Sequence, residues 1–169
     1  VIFSIPYFMD VITSSFFLIS GGMGVYRVFT VDQFCAPIEK YMWFLFFLTA
    51  VMVGFGSMYY HLSPTNTTLL WDRLPMTVVF ASLFSAIIAE KISVRVAHIL
   101  GPLLIVGGIL SVCYWFYTES RGVGDLRPYF AVQYISLALL PLILMMFKGV
   151  YSHRRLLALG VFWYIIAKF

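Results

Sequence analysis

Six apolar stretches punctuate this chain, each near the roughly 20 residues that a helix needs to cross about 30 Å of hydrocarbon. They run over 7–29, 41–61, 74–89, 94–117 and 129–147, and the last starts near 156 and continues to the end. Five short polar loops separate them, none long enough to make a soluble unit. The expected fold is an all-α integral membrane bundle with six transmembrane helices visible, forming a single domain over 1–169. The chain starts at Val1 and stops at Ala167-Lys168-Phe169, in the middle of what reads as a helix, so a fragment of a longer protein is expected.

Composition bears on function as well as class. Hydrophobic residues make up 62% of the chain and charged residues 11%, whereas soluble proteins carry about a quarter charged residues. The 17 Phe, 11 Tyr and 4 Trp suit lipid-facing helices with aromatic belts at both interfaces. A formal charge of +4 scattered over several loops argues against a nucleic-acid partner. Cys35 and Cys113 lie far apart, outside any CxxC pair, and read as packing thiols. Basic residues gather near Lys40, near Lys91 and Arg95, and around Lys148, Arg154 and Arg155. The positive-inside rule then places the opposite ends, including the junction between the second and third stretches, on the lumenal or exterior face.

That junction carries the chemistry. Gly56-Ser57-Met58-Tyr59-Tyr60-His61 is followed by Trp71-Asp72-Arg73-Leu74-Pro75, and ionisable residues beside hydrocarbon need a partner, water or a metal. Ser57 and His61 are four residues apart, hence on one helical face. The turn-rich Ser63-Pro64-Thr65-Asn66 predicts a tight hairpin that returns Asp72 beside His61. An imidazole ligand, a carboxylate that shuttles protons and a hydroxyl that donates to an oxyanion together allow metal-assisted hydrolysis. Each residue also has a plainer reading. Ser57 permits close helix packing beside Gly54 and Gly56; His61 is an interfacial side chain with a wet tip; Asp72 caps the third helix or pairs with Arg73.

A catalytic zinc takes three protein ligands and an open position for water, and this motif offers His61 alone. Helix alternation puts His98 and His153 towards the opposite side of the membrane, too far to complete a site. His98 reads as a buried or interfacial partner of a neighbouring helix, and His153 as part of a solvated basic loop. Asp10 belongs to the His61 side and reads as a helix cap ahead of a cation ligand. Glu119, Arg121, Asp125, Arg127 and Gln133 share that side, and form either a salt-bridged loop or a polar lid over a headgroup. Pro141 reads as a tolerated kink.

Gly54-x-Gly56-Ser57-x-x-Tyr60-His61 with Leu70-Trp71-Asp72-Arg73-Leu74-Pro75-Met76-Thr77 resembles the alkaline ceramidase family, within the superfamily that includes the adiponectin receptors. Gly124-Asp125-Leu126-Arg127-Pro128-Tyr129 and Gln133 resemble the matching stretch of bacterial-type members, so the resemblance covers most of the chain. It implies a seven-helix bundle in which zinc is held by one His of the second helix and a His-x-x-x-His pair of the seventh. It further implies that His61 is the first zinc ligand, Asp72 the proton-transfer carboxylate and Ser57 an oxyanion stabiliser. The implied reaction is hydrolysis of a ceramide-like N-acyl sphingolipid to fatty acid and free amine inside the membrane. Two departures stand beside the match. The chain ends before a seventh helix, which leaves the zinc site incomplete in these residues. The N-terminal segment offers Asp10 and Thr13-Ser14-Ser15 without the acidic cluster that binds calcium in some members.

Three functions follow for a multi-pass integral membrane protein among membrane lipids. The first is a zinc-dependent, ceramidase-like amide hydrolase. The alternative is a non-catalytic structural or accessory subunit of a larger membrane assembly, and the third is a lipid-sensing receptor.

Overall fold

The computed structural model describes residues 7–31, 33–149 and 154–168. Six helices occupy the six apolar stretches: α1 Phe8–Thr30, α2 Pro37–Leu62, α3 Asn66–Lys91, α4 Val94–Glu119, α5 Arg127–Met146 and α6 Arg154–Lys168. Five of them, α1 to α5, are long and apolar enough to cross a membrane. At 1.5 Å per residue, the 26 residues of α2, α3 and α4 each give about 39 Å, and the 15 residues of α6 about 22 Å. The protein is therefore an all-helical, multi-pass membrane protein.

Helix starts follow local chemistry more closely than apolar boundaries do. Thr65 begins α3 with a capping box, its hydroxyl accepting from the Thr68 amide while the Thr68 hydroxyl accepts from the Thr65 amide. The helix so starts at Asn66 rather than near 74, and the connection to α2 is only Ser63-Pro64-Thr65. Trp71, Asp72 and Arg73, expected in a loop, lie inside the second turn of α3. Apolar runs mark hydrocarbon, and the interfacial turns of a spanning helix are polar, so hydropathy under-reads the helix at this end. Ser93 caps α4 by accepting from Val96, and a proline opens the first turn of both α2 and α5.

α3 is the axle of the bundle. It packs against α2, α4 and α5, and 67% of its apolar window is buried, against 17% for α1. Its far half forms a core of Phe84, Ile87 and Ile88 with Ala97 of α4 and Leu140 and Ile143 of α5. Among the described residues α1 packs on α2 alone, and α6 packs on α5 with Tyr164 reaching the Phe80 ring of α3 at 5.2 Å. Aromatic and aliphatic side chains such as Phe16, Met23, Phe55 and Leu110 stay exposed on the outer surface, as lipid-facing residues do.

At the end where α2 begins and α3 finishes, Lys91 and Glu90 form a buried pair at 3.1 Å, covered by Gly149. Glu39, also buried there, accepts from the Cys35 amide at 2.7 Å. Cys35 and Cys113 are both exposed, which corrects their reading as packing thiols. His98 stands at this same end, exposed, with Nδ1 2.9 Å from the Val94 carbonyl of its own helix rather than against a neighbour. His153 lies outside the described residues.

Candidate functional site

The opposite end gathers the residues singled out by sequence, on three helices. α1 and α2 run antiparallel in a fixed register: Gly24 meets Phe47, Gly21 meets Val51, and Gly54 meets Leu18. A Cβ at Gly21 would stand 2.8 Å from the Phe47 carbonyl oxygen and 2.9 Å from the Val51 nitrogen, so only glycine allows this approach of the two backbones. The same register carries on into polar residues, with Ser14 opposite Ser57 and Asp10 opposite His61.

Ser14 Oγ lies 3.0 Å from Ser57 Oγ and 2.7 Å from the Asp10 carbonyl. One hydroxyl carries one proton, so Ser14 donates along one of these at a time. When it donates to Ser57, the Ser57 proton is released to point elsewhere. One turn nearer the membrane surface, His61 Nδ1 is 4.0 Å from Asp10 Oδ2, and the Tyr7 ring lies 5.8 Å from the imidazole. A carboxylate beside Nδ1 favours a proton on that nitrogen and leaves Nε2 with its lone pair. Asp10 stands in the first turn of α1, where Tyr7 at the N-cap makes no side-chain bond, and its carboxylate also faces His61.

Asp72 arrives by the short hairpin. Gly56 sits directly against the Trp71 carbonyl and the Asp72 Cα, so Asp72 is level with Ser57 and about one turn deeper than His61. The expectation that it returns beside His61 is corrected by that register, because the three-residue turn pairs 72 with 56. Its role as a cap falls too, since Thr65 holds that position. Asp72 is buried, about 9 Å along α3. Ser57 and His61 occupy the flank of α2 between the stripe that meets α1 and Gly56, which meets α3.

Beside this trio lies a polar cluster that sequence reading did not assemble. Arg73 places its guanidinium 4.3 Å from the Trp115 ring and 5.5 Å from the Tyr129 ring. Tyr129 donates to Met76 Sδ at 3.7 Å, and Gln133, one turn further along α5, donates Nε2 to Tyr164 Oη at 2.5 Å. Arg73 Nη1 and Gln133 Oε1 are buried without a hydrogen-bond partner among the described residues. A buried polar group in that condition costs about 1–3 kcal/mol. The available signal was the stripe Arg73, Met76, Phe80, all on one helical face.

The loop above follows the salt-bridged reading. Arg127 forks onto Asp125 with Nε at 2.9 Å and Nη2 at 2.8 Å, and these bonds hold the Asp125 carboxyl down to about 2. Asn66 donates to Glu119 at 3.1 Å, and Arg121 stacks 4.7 Å over Tyr117. On the outer face, a groove of about 760 Å³ runs between α2 and α3, walled by Met52, Phe55, Tyr59, Trp71 and Leu74 and floored by Gly56.

No group of three His, Cys, Asp or Glu side chains able to hold a metal occurs among the described residues. His61 and Asp10 supply at most one imidazole and one carboxylate, short of a closed catalytic zinc site. No curated protein and no solved structure matches the chain. A hydroxyl and an imidazole one turn apart on α2, with a buried α3 aspartate held level by the Gly56 contact, coincide with a family model described as Ceramidase that matches residues 3–169, and the chain belongs to that family.

Proposed function

We propose that this protein hydrolyses the amide of a ceramide-like N-acyl sphingolipid within the membrane. The observation that carries the reading is the register at Gly56, which brings buried Asp72 level with Ser57 in a family of ceramidases. In this reading Ser57 donates its hydroxyl proton to the developing oxyanion, and the Ser14 contact frees that proton for the task. Asp72 moves the proton between attacking water and the departing amine, which suits a carboxylate at the depth of the scissile bond. His61 is the one metal ligand proposed from this chain, with Asp10 fixing its tautomer. The described residues do not complete a zinc site, so no step is assigned to a metal.

The test is fatty-acid release from N-acyl sphingoid bases by the purified protein in lipid nanodiscs. Ser57→Ala is expected to lower kcat about 10²-fold with KM little changed, and Asp72→Asn to reduce turnover at least as far. Absence of release across several lipid amides, with no bound metal by elemental analysis, defeats the reading. One observation favours a second: a single imidazole at the site suits a non-catalytic subunit of a larger membrane assembly. Such a protein would copurify with partner chains and show neither metal nor turnover.

A further inference from the structure

We infer that Arg73 is a positioning residue of the hydrolytic trio: its caged positive charge lets the buried Asp72 stand as a carboxylate that can take a proton from water. The inference rests on the hydrolase reading for the reaction that uses this proton, and on the structure alone for the pairing of charges.

Burial sets the problem. Asp72 is buried, and a carboxylate withdrawn from water is neutralised unless a partner charge or hydrogen bonds hold it. A neutral Asp72 cannot serve as a base, since it already carries the proton it would accept. The opposite charge stands at the next position, about 3.8 Å away from Cα to Cα. Four groups face the Arg73 guanidinium through their charges, one from each helix around it: Tyr60 of α2, Asp72 of α3, Glu119 of α4 and Tyr129 of α5. Two of these are carboxylates. Glu119 is engaged elsewhere, accepting from Asn66 at 3.1 Å on the exposed side of the bundle, whereas Asp72 shares the depth of Arg73.

Aromatic rings fix where that charge sits. The guanidinium lies 4.3 Å from the Trp115 ring and 5.5 Å from the Tyr129 ring, residues only 3% and 5% exposed. Tyr129 is pinned in turn, because its hydroxyl donates to Met76 Sδ at 3.7 Å. Buried Arg73 Nη1 makes no hydrogen bond among the described residues. Neighbours on a helix diverge by about 100°, so a head drawn to these rings stands beside Asp72 rather than across its oxygens. The distinction matters for the chemistry. A guanidinium fork would take up the oxygens that must receive the proton, whereas a cation held by ring faces supplies charge alone. At the level of Ser57, set by the Gly56 contact, a proton passes from water to an Asp72 oxygen as the water oxygen bonds the amide carbon. The negative charge moves to the carbonyl oxygen. The same proton then goes to the nitrogen as the C–N bond breaks, and Asp72 regains its charge. Arg73 stays cationic throughout and contacts neither water nor substrate.

The test uses the purified protein in lipid nanodiscs and fatty-acid release from an N-acyl sphingoid base. Arg73→Met removes the charge and keeps the reach of the side chain; it is expected to lower kcat about 10–100-fold, a share of what a positioned base contributes, with KM within about twofold of wild type. Arg73→Lys, which keeps the charge, should recover most of that loss. On an Asp72→Asn background Arg73→Met should lower kcat less than about threefold further, because its effect runs through Asp72, whereas on a Glu119→Gln background the full loss should remain. A loss of equal size on the Asp72→Asn background, a raised KM with kcat unchanged, or no recovery by lysine would show that Arg73 only packs α3 against α4 and α5; any of these overturns the proposal. Arg73→Gln takes the place of the methionine variant where thermal unfolding shows that the latter does not fold. Infrared difference spectra, with the Asp72 band assigned by its loss in Asp72→Asn, read the charge directly. At neutral pH they are expected to show Asp72 ionised in wild type and Arg73→Lys and protonated in Arg73→Met; an Asp72 band that is the same in all three overturns the inference. Should wild-type protein cleave nothing, this readout still decides: a band that depends on Arg73 retains the charge pairing while the hydrolase reading fails, and one that does not rejects both.

Discussion

Asp10 and Ser14 do for this site what distance alone would not. They sit one turn apart on α1, as His61 and Ser57 do on α2, and the antiparallel register matches the pairs. Asp10→Asn is therefore expected to lower activity by about 10–100-fold, with Asp10→Glu recovering part of it. Turnover of the three proteins in lipid nanodiscs checks this. Asp125 supports a prediction on stability. Its folded value of about 2 lies below its ordinary 3.8, so its contribution is full above pH 4 and is lost as pH falls towards 2. Thermal unfolding of Asp125→Asn should lose the wild-type slope across that window, and the effect should shrink in high salt because Arg127 is exposed. Ser57 and His61 were readable from a spacing of four, whereas Asp10 was not. Its partner is set by the α1–α2 register, which glycine contacts establish, and no local pattern around residue 10 announces it.

At the scale of the element, α3 shows where sequence reading runs short. Its apolar centre was legible, but its first two turns are polar because they lie at the interface, and those turns hold Asp72 and Arg73. The capping box at Thr65 was the sequence-level marker of the true start, outweighed by the later Leu74-Pro75. Thr65→Ala removes one half of that box and should destabilise the bundle by about 1 kcal/mol, measured as a shift in thermal unfolding in detergent. Gly56→Val should cost more. A branched side chain there meets the backbone of Trp71 and Asp72 rather than a movable side chain, so α2 and α3 must separate. The expected result is a lowered melting temperature together with loss of turnover, since the contact that levels Asp72 with Ser57 is the one destroyed.

Across the whole molecule, the candidate site and the larger apolar core sit at opposite ends. One end carries Ser57, His61, Asp72 and the Arg73–Gln133 cluster; the other carries the Phe84, Ile87 and Leu140 core and the buried Glu90–Lys91 pair. Fold class and helix number were evident from apolar lengths, since hydrocarbon leaves a backbone few alternatives to the helix. Which helix touches which was not evident, because every helix is apolar on all sides and periodicity cannot name the buried face. α1 shows the consequence. Among the described residues it leans on α2 alone, yet it brings Asp10 and Ser14 against His61 and Ser57. During synthesis α1 leaves the ribosome ahead of the surface it will rest on. The glycine contacts that set the α1–α2 register belong to a pairing local in sequence, so the half of the site carried by α1 and α2 needs no contact from the helix that carries Asp72.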